Sequence, residues 1–96
     1  MSDFDQARAV IERGRHAADL LANPSFVWII NEQTAEHVAA LIASPPGPSG
    51  LEKREYHHLQ QHALSELVLT LTGYAETGKA QADALEAFED ETEDTP

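Results

Sequence analysis

Five histidines, and the carboxylates set among them, are the side chains of this sequence best suited to chemistry. His58 and His62 stand four residues apart. On a helix both point to one side, where they could share a metal ion with Glu55 or Glu66 as a third ligand. The string reads H-L-Q-Q-H rather than H-E-x-x-H, so the general base of a zinc protease is missing. Two helical histidines at this spacing also arise by chance, and the reading adopted is solvated or interface histidines, with no metal and no cofactor. His57 faces away from His62, and His37 belongs to a preceding helix that approaches this one. No serine joins a histidine and an acid in a nucleophilic triad. The glycines of SPPGPSG are not followed by GK[ST], so they form no phosphate loop. The chain is therefore expected not to be an enzyme.

The bases are Arg8, Arg13 and Arg15, then Lys53-Arg54, with Lys79 beyond them. Arg13-Gly14-Arg15 could touch a phosphate. Ion pairs with Glu12, Asp19 and the acidic end are the simpler use, each worth well under about 1 kcal/mol on a surface. The formal charge is −11, from 17 acids against 6 bases. That balance disfavours nucleic acid and anionic membrane as partners, because both require clustered positive charge. Glu86, Glu89, Asp90, Glu91, Glu93 and Asp94 hold about half of the excess. Such a tail either solubilises, docks in an assembly, or imitates nucleic acid on a basic partner. There is no cysteine, hence no disulfide and no thiolate site. MSDFDQARAV lacks the apolar core of a signal peptide, and the longest apolar run, Phe26 to Ile30, is far too short to span a bilayer.

These residues must be carried by helices. Ninety-six residues make one small domain. Ser2 suits an N-cap, with acids in the following turn. Phe4, Ala7, Ile11, Gly14, Ala18 and Leu21 then make one thin apolar stripe, which predicts a helix over 3–22. Asn23-Pro24 ends it, and the same pair suits an N-cap and first position of a helix over 24–43. A kinked continuous helix is the alternative. Phe26-Val27-Trp28-Ile29-Ile30 is apolar all round, so part of it should face a second surface, on helix 1 or on another subunit. SPPGPSG is a turn. Ser49-Gly50-Leu51-Glu52 reads as a capping box opening a helix over 50–77. Its main stripe is Tyr56, Leu59, Ala63, Leu67, Thr70, Leu71 and Tyr74, widened by Leu64, Val68 and Ala75. Gly78 is the expected stop, as a C-terminal cap. Residues 81–96 are expected as an acidic tail, partly helical or disordered.

The string R-H-A-A-D-L-L-A-N-P-S-F resembles the opening of a group of small helical proteins of tailed bacteriophages and prophages. Their pattern is A-x-x-L-L-x-N-P-x-F, a helix, a short linker, R-E near the start of a long helix, and a closing glycine. Here these are Ala17, Leu20, Leu21, Asn23, Pro24 and Phe26, then Arg54-Glu55, then Gly78, over about residues 8 to 80. The FVWII segment departs from that pattern. The resemblance implies a phage particle or its assembly pathway and no catalytic residues.

The expected fold is all-α: a short N-terminal helix, an antiparallel helical hairpin, and a disordered acidic C-terminal tail. The expected function is a non-enzymatic, oligomer-forming phage structural or assembly protein, in the virion or the host cytoplasm. Its partners would be further copies of itself and other phage proteins. The interface residues would be Phe26, Trp28, Ile29, Ile30, Leu59, Leu64, Leu67, Val68, Leu71 and Tyr74. Two alternatives stand beside it: an acidic module that inhibits a host nucleic-acid enzyme by charge mimicry, and a small DNA-packaging, terminase-type subunit.

Overall fold

A computed structural model of the chain describes residues 3–93, with side chains described as far as residue 90. It is all-α: α1 (Asp3–Ala22), α2 (Pro24–Ala43) and α3 (Pro48–Glu93). No strand occurs among the described residues. No helix among them is long and apolar enough to cross a membrane. Asp3 and Asp5 lie in the first turn of α1, where the helix dipole favours negative charge. The expected cap at Ser2 lies outside the described residues.

Asn23 divides α1 from α2 as its type predicts. Its backbone is extended (φ −74°, ψ 119°). Its Oδ1 accepts from the amides of Ser25 at 2.9 Å and Phe26 at 3.1 Å. Pro24 needs no such acceptor because it has no N–H. The other end of α2 is set by Pro45, which pushes Ser44 into extended backbone (ψ 142°). Ser44 Oγ then donates to the Leu41 carbonyl at 2.7 Å.

Two boundaries differ from expectation. The first is the start of α3, which opens at Pro48, so Ser49 is inside the helix and caps nothing. Gly47 makes the turn, with φ 82°, a conformation that glycine adopts without the cost a Cβ adds. Pro48 then enters with its φ already helical. Arg54 secures the turn from within the helix: its guanidinium donates to the carbonyl of Pro45 and, at 2.9 Å, to that of Gly47. The turn is therefore held by an arginine four residues on from Gly50, not by a serine hydroxyl.

The second boundary is the end of α3. Gly78 does not stop the helix, which runs on to Glu93 for 46 residues in all. Residues 81–93 of the expected tail are thus helical, and 94–96 lie outside the described residues. The reason is tertiary. Gly78 is buried against Gly14 of α1, so its missing side chain serves a close approach between helices and not a left-handed cap.

The chain divides into two compact units. One joins α1, through Leu21, to α3 from Thr70 onward; the other is Ala22–Leu69. In the first, Ile11, Gly14 and Ala17 are the buried residues of α1. Small residues dominate this seam, with Ala75, Gly78 and Ala82 on the α3 side of a groove beside Gly14. Little area is available there, so close van der Waals contact between backbones supplies much of the attraction. The Arg13 guanidinium lies 4.1 Å from the centre of the Tyr74 ring, a cation–π contact worth about 0.5–1 kcal/mol at such a site.

In the second unit Phe26, Ile30, Thr34, His37, Ala40 and Leu41 are the half-buried residues of α2, with Ser44 just beyond its end. The matching residues of α3 are Gly50, Arg54, His57, Gln61, Leu64 and Val68. On α3 the same spacing continues through Leu71, Ala75, Gly78, Ala82 and Leu85, all half-buried or buried, with Thr72, Gly73 and Tyr74 half-buried beside them. Steps of four and three alternate along the α3 series, which is the 3.5-residue period of a coiled-coil seam. Of the expected main stripe Tyr56, Leu59, Ala63, Leu67 and Thr70 are instead exposed while Leu71 and Tyr74 are half-buried, and the expected flank of Leu64, Val68 and Ala75 lies on the packed face. Apolar content favours the first stripe. Polar anchors decide for the second: Arg54 is tied to the turn and His57 to α2, and they fix how α3 is rotated.

Candidate functional site

The histidines brought together are His37 and His57. Their Nδ1 atoms lie 2.9 Å apart, partly buried, and their ring centres are 5.2 Å apart. One ring must donate Nδ1–H and the other must accept, so at least one is neutral while the bond exists. Tyr56 meets the His57 ring edge-on, with centres 5.1 Å apart. Helical spacing on α2 and α3 sets this meeting: His37 follows Thr34 and His57 follows Arg54 by three, one turn along each seam.

One turn further along α3, Gln61 Oε1 is buried and accepts no hydrogen bond. The middle of the seam is therefore Thr34, His37, Arg54, His57 and Gln61, a polar stretch where a coiled coil usually places leucine or isoleucine. Such residues select register at some cost in stability. Gln61→Leu is expected to raise stability by about 1–2 kcal/mol, because it removes an unpaired buried acceptor without leaving another. Urea unfolding at fixed protein concentration reads this. A midpoint lowered by the substitution would mean that Gln61 Oε1 has a partner that matters.

His58 and His62 do not converge on a site. Both are exposed, and His62 Nε2 stands 3.8 Å from Glu66 Oε1 in an open i,i+4 pair. Such a pair contributes about 0.3–0.5 kcal/mol, and only with the histidine protonated. Among the described residues no group of three or more histidines, cysteines or acids is placed to hold a metal ion. Arg8 and Arg15 are exposed on α1, and Lys53 is exposed at the start of α3. Arg13 and Arg54 are engaged with Tyr74 and with the turn.

The residues expected at an interface divide into two sets. Ile30, Leu64 and Val68 line a groove between α2 and α3, Phe26 and Leu71 are half-buried, and Tyr74 lies under Arg13. These serve packing within the chain. Trp28, Ile29, Leu59 and Leu67 are exposed, Trp28 at 63% and Leu59 at 64%. Val38, Ile42 and Tyr56 are exposed with them, Ile42 at 81%. Val38, Ile42 and Tyr56 of this set are absent from the expected interface, although Tyr56 belongs to the expected apolar stripe of α3 and Val38 to that of α2. α2 buries no residue fully.

No known protein family, no curated protein and no solved structure matches this chain.

Proposed function

We propose that the chain is a non-enzymatic, oligomer-forming structural or assembly protein, and that Ala22–Leu69 is its association module. In this reading α2 and the first part of α3 form an antiparallel helical hairpin that packs against further subunits. The observation that carries it is the apolar surface left uncovered on both helices of that unit. Trp28, Ile29, Val38 and Ile42 on α2, and Tyr56, Leu59 and Leu67 on α3, are all exposed. Contiguous apolar patches beyond a few hundred Å2 mark interaction sites on soluble proteins. The inward side supports the same reading. Among the described residues only Ile11 and Ala17 form the buried apolar core, which is little for a chain this short to stand on alone.

The setting is the bacteriophage particle or its assembly pathway, which the likeness of residues 15–26 to small phage proteins implies. The acidic charge and the engagement of Arg13 and Arg54 favour protein over DNA as the partner. The purified chain is expected to run above its 10.5 kDa monomer mass in light scattering after size exclusion at micromolar concentration. A clean monomer mass would remove the homo-oligomer reading.

A further inference from the structure

We propose that the groove between the start of α1 and the later part of α3 docks an amphipathic helix of a different protein, one that carries lysine or arginine on its polar face. The groove lies within the unit that joins α1 to α3 from Thr70 onward. It is not part of the association module proposed above, so its test does not depend on whether the chain self-associates.

Small residues open the groove and two aromatic rings border it. α1 and α3 approach closely at Gly14 and Gly78, where a Cβ on either would meet the backbone of the other. Seven residues before Gly14 stands Ala7, and seven after Gly78 stands Leu85. There Phe4, Ala7 and Val10 of α1 and Ala84, Leu85 and Phe88 of α3 line a groove of about 710 Å3. Phe4 is 53% exposed and Phe88 61%, so each ring lies against the groove and still offers more than half its surface. Aromatic rings of this kind supply much of the energy of an interface. The lining spans about two turns of each helix, about 10 Å along the axis. A partner helix presenting apolar residues at i, i+3 or i+4, and i+7 covers that length.

Charge selects the partner. Residues 3–10 and 81–90 carry Asp3, Asp5, Asp83, Glu86, Glu89 and Asp90, with Arg8 as the one base. All of these are exposed, and Asp3 itself lines the groove. A field of one sign around an apolar groove favours a cationic partner and speeds its encounter. It opposes nucleic acid and anionic lipid. It opposes a second copy of the same end as well, because six acids would then face six. No segment of this chain supplies the matching charge. Arg13 lies over Tyr74, and Arg15 stands between Glu12 and Asp19 in sequence. Lys53-Arg54 is flanked by Glu52 and Glu55, with Arg54 engaged at the turn. The occupant is therefore another protein.

The test adds the full-length chain to labelled synthetic helices of about 18 residues. Two share one leucine pattern, with lysine on the polar face of the first and glutamate on that of the second. A third keeps the lysines and replaces each leucine by serine. Fluorescence anisotropy reads binding. The leucine–lysine helix is expected to bind and the other two to bind far more weakly. Its binding should weaken as salt rises from about 0.1 M to about 1 M, where the Debye length falls from about 10 Å to about 3 Å. The double variant Phe4→Ala, Phe88→Ala should weaken it about tenfold, as loss of aromatic anchors does. Circular dichroism checks that the variant stays helical. If it does not, Ala84→Gln replaces it, filling the groove without changing the charge. Leucine–lysine binding that the groove variant leaves unchanged would overturn the proposal. So would equal binding of the glutamate or the serine peptide, or no binding of any.

Discussion

Gly78→Ala is expected to destabilise the unit built from α1 and the later part of α3, while Gly73→Ala, in the same helix, is expected to stabilise it. Alanine is favoured over glycine by about 1 kcal/mol at an interior helical position, and this gain applies to both. A Cβ added at Gly73 meets nothing within 4 Å, so there the gain stands alone. A Cβ added at Gly78 would lie 2.8 Å from Gly14 Cα and 3.1 Å from the Val10 carbonyl oxygen. Both are backbone atoms of α1, which cannot rotate aside as a side chain can. The helices must move apart, and the close contacts along the small-residue seam weaken together. Overpacking of this kind costs about 1–3 kcal/mol, so against the gain of about 1 kcal/mol Gly78→Ala should lose up to about 2 kcal/mol net. Gly14→Ala should behave alike, since its Cβ would stand 2.7 Å from Gly78 Cα and from the Tyr74 carbonyl oxygen. Thermal melting at one protein concentration measures the contrast. One kcal/mol corresponds to about 4–8 °C for a domain of this size, and fixed concentration is needed because association shifts melting. If Gly78→Ala melted above the unaltered chain, as Gly73→Ala should, Gly78 would not be at a helix contact. A left-handed C-terminal cap would also lose stability on gaining a Cβ, so that result would exclude the cap as well.

That ambiguity shows what the sequence could tell. Glycine within a helical pattern reads equally as a stop or as a place of close approach. Nothing local to Gly78 separates the two, because the deciding neighbour, Gly14, is 64 positions earlier. Breaks with local causes were legible. Asn23-Pro24 carries its own cap and its own steric exclusion, and the structure ends α1 and starts α2 there. The rotation of α3 was not legible. Counting apolar residues selects Tyr56, Leu59 and Leu67, yet the packed seam passes through Arg54, His57 and Gln61. A seam position filled by arginine or glutamine has no apolar signature. The 3.5-residue step is visible only once polar residues are admitted to the pattern. The candidate site was partly readable for the same reason. His37 approaching α3 follows from two facing helices, but its meeting with His57 depends on register, and register is set at the turn.

Gly50→Ala is expected to be among the most damaging single changes in Ala22–Leu69, because it acts on that turn. Gly50 is buried, and a Cβ built there runs into the Pro45 carbonyl oxygen, with Arg54 Nη1 2.6 Å away. The arginine can move; the carbonyl, in a Pro-Pro sequence with fixed φ, cannot readily do so. The substitution should therefore displace the turn and break both guanidinium hydrogen bonds at once, for a loss of about 2–3 kcal/mol. Arg54→Ala removes the same two bonds without the clash and should cost about 1.5–3 kcal/mol, less whatever water restores at this half-exposed site. Arg54→Lys should recover only part of that, because one ammonium does not present the two parallel donors of a guanidinium. Gly47→Ala adds a Cβ at φ 82°, at a cost of about 1–2 kcal/mol. The decisive measurement is the double variant in urea unfolding. Gly50→Ala and Arg54→Ala injure one contact, so the pair should lose less than the two single losses combined. Full additivity would mean that the arginine and the glycine act separately. The rotation of α3 would then need another anchor than Arg54, leaving the His37–His57 bond to hold register alone.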